Sequence, residues 1–96
     1  MKIEFNPQAL QELKTATDYY ANISPRLEQR LLDCVESAVD QIYCHPLAWQ
    51  QVKFNIRRKL VDQFPYELIY TLEQDLILIL AVMHQHQKPN YWSERV

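Results

Sequence analysis

A chain of 96 residues with 48% hydrophobic side chains makes one domain, 1–96, with enough apolar material for a core, and excludes disorder. A formal net charge of −2 excludes a uniformly basic nucleic-acid-coating protein. The total lack of glycine excludes the phosphate-cradling loops of P-loop and Rossmann proteins, and leaves turns to Asn, Asp, Pro and Ser.

In chain order, "MKIEF" alternates and predicts a short strand. Asn6-Pro7 is a helix start, with Asn as cap and Pro at the first helical position. Ala9, Leu10, Leu13, Ala16, Thr17 and Tyr20 then recur at three- and four-residue spacing, predicting an amphipathic helix over about residues 7–22. Ser24-Pro25 repeats the start signal. Leu27, Leu31, Val35, Ala38 and Ile42 line a second helix, which ends before Pro46. A linker of about two residues makes the two helices antiparallel neighbours. Beyond "HPLAWQQ" the period becomes two. "VKFNIRRKLV" predicts one strand bent in its middle, "YELIYTL" a second, "EQD" a turn, and "LILILAVMH" a strand apolar on both faces and therefore covered on both. The order β-α-α-β-β-β gives a two-layer α+β domain, a helical hairpin on an antiparallel sheet. The first strand is expected beside the last or next to it.

"MKIEFNPQAL" has no apolar core of a signal peptide. The longest apolar run, "LILILAVM", is too short to span a membrane. Cys34 and Cys44, on one helix, stand about 15 Å apart, too far for a disulfide. They read as reduced thiols in a cytoplasmic protein, without metal-type spacing.

Charge is uneven. Residues 1–44 carry four basic and seven acidic side chains, residues 45–96 six and five. The acids of the first half, Glu12, Asp18, Glu28, Asp33, Glu36 and Asp40, read as a solvated helical face. "KFNIRRK" holds Lys53, Arg57, Arg58 and Lys59 with no acid. On a strand, Arg57 and Lys59 share one face and Arg58 takes the other. Such cations either clamp phosphates or guard an exposed strand against aggregation. If the last strand persists to residue 86, His84 and His86 point to one face with Leu80 and Val82. They form either an acid–base pair or a solvated strand end. A metal site lacks further ligands, so none is expected. Most tyrosines read as core or core edge. Tyr91, in a polar C-terminal segment, is the least easily explained that way.

The stretches "FNPQALQELKTATDYY" and "IRRKLVDQFPYELIYTLEQDLILILAVMHQHQKPNYWSER" resemble the RelE/ParE superfamily of toxins from bacterial type II toxin–antitoxin systems. The most specific parts are "FPYELIY" after "IRRKL", then "ILAVMHQHQKPNYW". The resemblance implies the same β-α-α-β-β-β fold, a cytoplasmic setting, a cognate antitoxin as partner and no cofactor. RelE-like members are ribosome-dependent mRNA endonucleases; ParE-like members inhibit DNA gyrase. Carried onto this chain, the ribonuclease set is His84, His86, Arg57, Arg58 and Tyr91. A histidine takes the 2′-hydroxyl proton, the arginines hold the phosphate, and Tyr91 or the other imidazole protonates the leaving oxygen. Lys53, Arg57, Arg58, Lys59 and Lys88 form the nucleic-acid or target-binding set. One departure is informative: relatives place arginines after the histidine, where this chain reads "HQHQKP". With a pI near 5.9, that favours the gyrase-directed, ParE-like reading over the ribosome-dependent one. A degenerate toxin that only binds its antitoxin is the third reading, and enzymatic activity is left open.

Overall fold

The computed structural model describes residues 1–96. Strand β1 (Lys2–Phe5) leads into helix α1 (Pro7–Ala21) and helix α2 (Pro25–Cys44). Strands β2 (Gln50–Lys53), β3 (Ile56–Leu60), β4 (Tyr66–Glu73) and β5 (Leu76–His84) follow, then a 3₁₀ turn at Ser93–Arg95. Both helix starts form as their sequence dictates. The Gln8 amide donates to Asn6 Oδ1 at 2.7 Å and the Arg26 amide to Ser24 Oγ at 3.1 Å, so each cap satisfies an end amide. Helix α2 stops at Cys44, one residue short of the pre-proline His45.

The sheet runs β1-β5-β4-β3-β2, with β1 beside the last strand. The α+β, two-layer reading holds, with two corrections to the sheet. Segment 52–61 is not one bent strand but most of a hairpin. Gln50 pairs with Arg58 and Lys53 with Ile56, and Asn55 takes the left-handed turn conformation at φ 66°. Asparagine is the residue besides glycine that best tolerates it. The second correction is that β1 pairs with β5 in parallel, so the sheet is mixed. Direction explains this. The helical hairpin returns the chain to the end of the sheet where β1 finished. Three reversals through β2, β3 and β4 then leave β5 running the same way as β1.

The helices cover one face. Ala9 and Ala16 of α1, and Leu31, Val35, Ala38 and Ile42 of α2, meet Leu68, Tyr70, Ile77, Ile79 and Val82 of the sheet. Leu10, counted in the α1 stripe, lies at its rim and is exposed. A smaller core lies on the opposite, open face, where Trp92 of the C-terminal segment packs on Ile56, Ile69, Leu80, Ala81 and Met83. Thus β5 is covered on both sides, as its unbroken apolar run requires. Register between β4 and β5 slips between Ile69 and Tyr70, which pair with Ala81 and Ile79. Leu80 is the extra residue of this bulge. No helix is long and apolar enough to cross a membrane.

Candidate functional site

The bulge decides where the end of β5 points. Ile77 and Ile79 face the helices, Leu80 and Ala81 both join the open-face core, and Val82 faces the helices again. His84 therefore lies on the face opposite Leu80, not beside it. The strand ends at His84, so His86 belongs to the following turn. The two rings still meet, with centroids 5.2 Å apart. His84 also stands edge-on to Tyr66 at 5.1 Å.

His84 and Tyr66 edge a groove of about 690 Å³ between α1 and the ends of β4 and β5, lined also by Glu12, Ala16, Tyr20, Val82 and Gln87 among others. Burial pushes the Tyr20 and Tyr66 phenols up from their ordinary value. On the open face a cleft of about 460 Å³ is bounded by Arg58, Glu67, Met83, Gln85, Gln87 and Trp92, with other side chains at its rim. Gln87 borders both hollows.

The basic residues divide between faces as strand geometry demands. Arg58 pairs in register with Ile69 on the open face. There its Nε donates to Gln50 Oε1 at 2.9 Å and its guanidinium stands 3.5 Å from the buried Glu67 carboxylate. Lys53 reaches over Trp92, 5.6 Å from the ring centroid. Arg57 pairs with Tyr70 on the helix side and donates to the Trp49 carbonyl at 2.8 Å. Lys59 stacks over Trp49 at 4.3 Å, and Lys88 is exposed in the C-terminal segment. His84 pairs with Tyr66, four residues from Tyr70 on β4. At about 3.3 Å per residue, Arg57 is on the order of 13 Å along the sheet from His84. The structure brings His84 to His86, and Lys53 to the same face as Arg58. It does not bring the arginines to the histidines.

Tyr91 joins a different group. Its hydroxyl donates to Glu12 Oε2 at 2.6 Å. Burial, then the bond to Glu12 and that carboxylate's charge, hold its phenol far above the ordinary value. Glu12 also accepts from Arg95 Nη1 at 2.9 Å and Nη2 at 3.2 Å, and from the Val82 amide at 3.0 Å. Arg95 in turn donates to the Leu80 carbonyl at 3.0 Å, and its guanidinium lies 5.0 Å from the Tyr91 ring centroid. Its bond to Glu12 holds it firmly protonated. Glu12 is thus no solvated acid: it clasps the C-terminal segment to α1 and to the bulge of β5. The signal was present in α1. Glu12 sits among Ala9, Leu13 and Ala16, a carboxylate within the buried stripe, and the two alanines let the helix approach β5 closely. Arg95 carried no comparable signal. No group of three or more His, Cys, Asp or Glu side chains gathers where a metal ion could sit.

Comparison with known proteins gives a consistent picture. A family model described as the ParE toxin of the type II toxin-antitoxin system, parDE, matches residues 3–89. Among solved structures, a chain of the chromosomal ParDE TA system from P. aeruginosa superposes with a TM-score of 0.69 at 15% identity, covering 88% of this chain and 95% of that one. At that identity the likeness is one of fold. No curated protein sequence matches.

Proposed function

Because the chain belongs to the ParE toxin family of type II toxin–antitoxin systems, we propose that it arrests growth by inhibiting DNA gyrase in the cytoplasm, without nuclease chemistry, until a cognate antitoxin covers it. The observation that carries this reading is the scattering of the ribonuclease set. A nuclease needs base, acid and phosphate clamp within hydrogen-bond reach of one scissile bond. Here the imidazoles of His84 and His86 stand at one end of the sheet. Arg57 faces the helix side and is bonded to Trp49. Arg58 lies on the open face against Gln50 and Glu67. The Tyr91 hydroxyl is engaged by Glu12.

The ribosome-dependent endonuclease is retained as the second reading for one reason: two imidazoles 5.2 Å apart can act as an acid–base pair. Purified toxin separates the readings. In a supercoiling reaction of gyrase on relaxed plasmid, it is expected to block product formation, with relief by the antitoxin; full supercoiling at saturating toxin rejects the proposal. His84→Ala and Arg57→Ala are expected to stay toxic. A loss of toxicity by about 10²-fold in either folded variant marks the nuclease. An absence of toxicity in the parent chain marks a degenerate, antitoxin-binding module.

A further inference from the structure

The histidines left unused by that reading occupy a turn closed by side chains as well as backbone. The Gln87 amide donates to the His84 carbonyl at 3.0 Å and the Gln85 amide to the Pro65 carbonyl at 2.9 Å. The His84 amide donates to Gln87 Oε1 at 2.8 Å. The fourth bond sets the chemistry: the His86 amide donates to His84 Nδ1 at 3.0 Å. A ring nitrogen accepts only when it carries no proton, so the neutral His84 ring bears its hydrogen on Nε2. A second proton on that imidazole can go only to Nδ1. It then meets the His86 N–H, and two donors face each other with no acceptor between them.

We infer that His84 is a proton-operated latch on the turn Gln85–Gln87: the neutral ring closes it, and protonation releases it. The position makes the latch consequential. His84 and Gln87 line the groove beneath α1, and Gln85 and Gln87 line the cleft on the open face. One turn therefore walls both hollows, and its release reshapes both.

The groups facing the ring leave one competitor for the proton. From β4 comes the Tyr66 ring at 5.1 Å, and from α1 come Tyr19, Tyr20 and Glu12 across the groove. Burial raises the Tyr66 and Tyr20 phenols further from neutrality, and the Glu12 carboxylate is matched by Arg95. Lys88 lies beyond the turn. His86 stands beside it with ring centroids 5.2 Å apart, and a positive charge on one imidazole opposes a positive charge on the other.

The test is NMR of the full chain between pH 8 and pH 5, following the His84 ring nitrogens and the His86 amide. At pH 8 His84 is expected as the Nε2–H tautomer with the His86 amide protected. On acidification, His86 amide protection, corrected for intrinsic exchange, is expected to fall about tenfold in step with protonation of His84, as loss of one hydrogen bond implies. His86→Gln removes the neighbouring imidazole and is expected to leave this step in place. His84→Asn supplies an oxygen acceptor that does not titrate, and is expected to keep the amide protected at pH 5. An Nδ1–H tautomer at pH 8, a His86 amide indifferent to His84 protonation, or an unchanged pH step in His84→Asn overturns the latch. If asparagine leaves the amide open at pH 8, the tautomer and the His86→Gln titration decide the matter by themselves.

Discussion

Replacing Glu12 with alanine tests the clasp. The carboxylate accepts four hydrogen bonds, from Val82, Tyr91 and both terminal nitrogens of Arg95. The side chains of Arg95 and Glu12 are only 14% and 20% exposed. Removing the acid strands a guanidinium and a phenol that are largely out of water. Breaking a fully buried pair costs about 3–5 kcal/mol; discounting for the remaining exposure leaves about 2–4 kcal/mol. That is a large share of the roughly 5–15 kcal/mol that stabilises a typical domain. The internal control lies on the same helix. Lys14 and Asp18 pair at 2.8 Å with side chains 66% and 59% exposed, and Asp18→Ala is expected to leave stability almost unchanged. Urea unfolding reads both as midpoint shifts at constant slope. A cycle of Glu12→Gln with Arg95→Met is expected to return a coupling of roughly 1–3 kcal/mol. A Glu12→Ala midpoint indistinguishable from that of Asp18→Ala refutes the reasoning, because Glu12 would then be a solvated acid after all.

Two further outcomes are expected from the cores. Trp92 is 2% exposed and is the main cover of the open-face core, so Trp92→Ala is expected to cost about 3–5 kcal/mol; a loss below about 1 kcal/mol in urea unfolding contradicts that packing. Burial pushes the Tyr70 phenol up to about 12, while the unfolded group titrates near 10. Its contribution is therefore complete below about pH 10 and is lost as pH rises through about 12, by roughly 2–3 kcal/mol in all. Tyr70→Phe forfeits the 2.6 Å bond to the Pro46 carbonyl and starts less stable. Its denaturation midpoint is expected to fall less steeply above pH 10 than that of the parent chain; equal slopes contradict the assignment.

Much of the fold was legible because its signals are local. Asn6-Pro7 and Ser24-Pro25 each name a cap and a first helical residue. "LILILAVM" is apolar at every position because both faces of β5 are covered. The β2–β3 hairpin was hidden by the absence of glycine: Asn55 makes the left-handed turn, and Phe54-Asn55 reads as two more residues of an alternating strand. The bulge at Leu80 was hidden for the opposite reason. A strand apolar on both sides has no alternation to interrupt, so a slip that turns His84 to the other face leaves no trace in the pattern. The clasp was out of reach because Glu12 meets Val82, Tyr91 and Arg95 from 70, 79 and 83 residues away. Arginines 57 and 58 were placed on opposite faces correctly. What spacing could not supply was their distance from the histidines, which is set by the register of three strands.

On the gyrase-directed proposal, this toxin stops replication and not translation. Cells induced for the toxin without its antitoxin, pulse-labelled with thymidine and leucine, test it most directly. Thymidine incorporation is expected to fall first, while leucine incorporation continues until the arrest of replication is felt. Leucine incorporation falling first contradicts it, and would make His84, His86 and the two arginines catalytic candidates despite their separation.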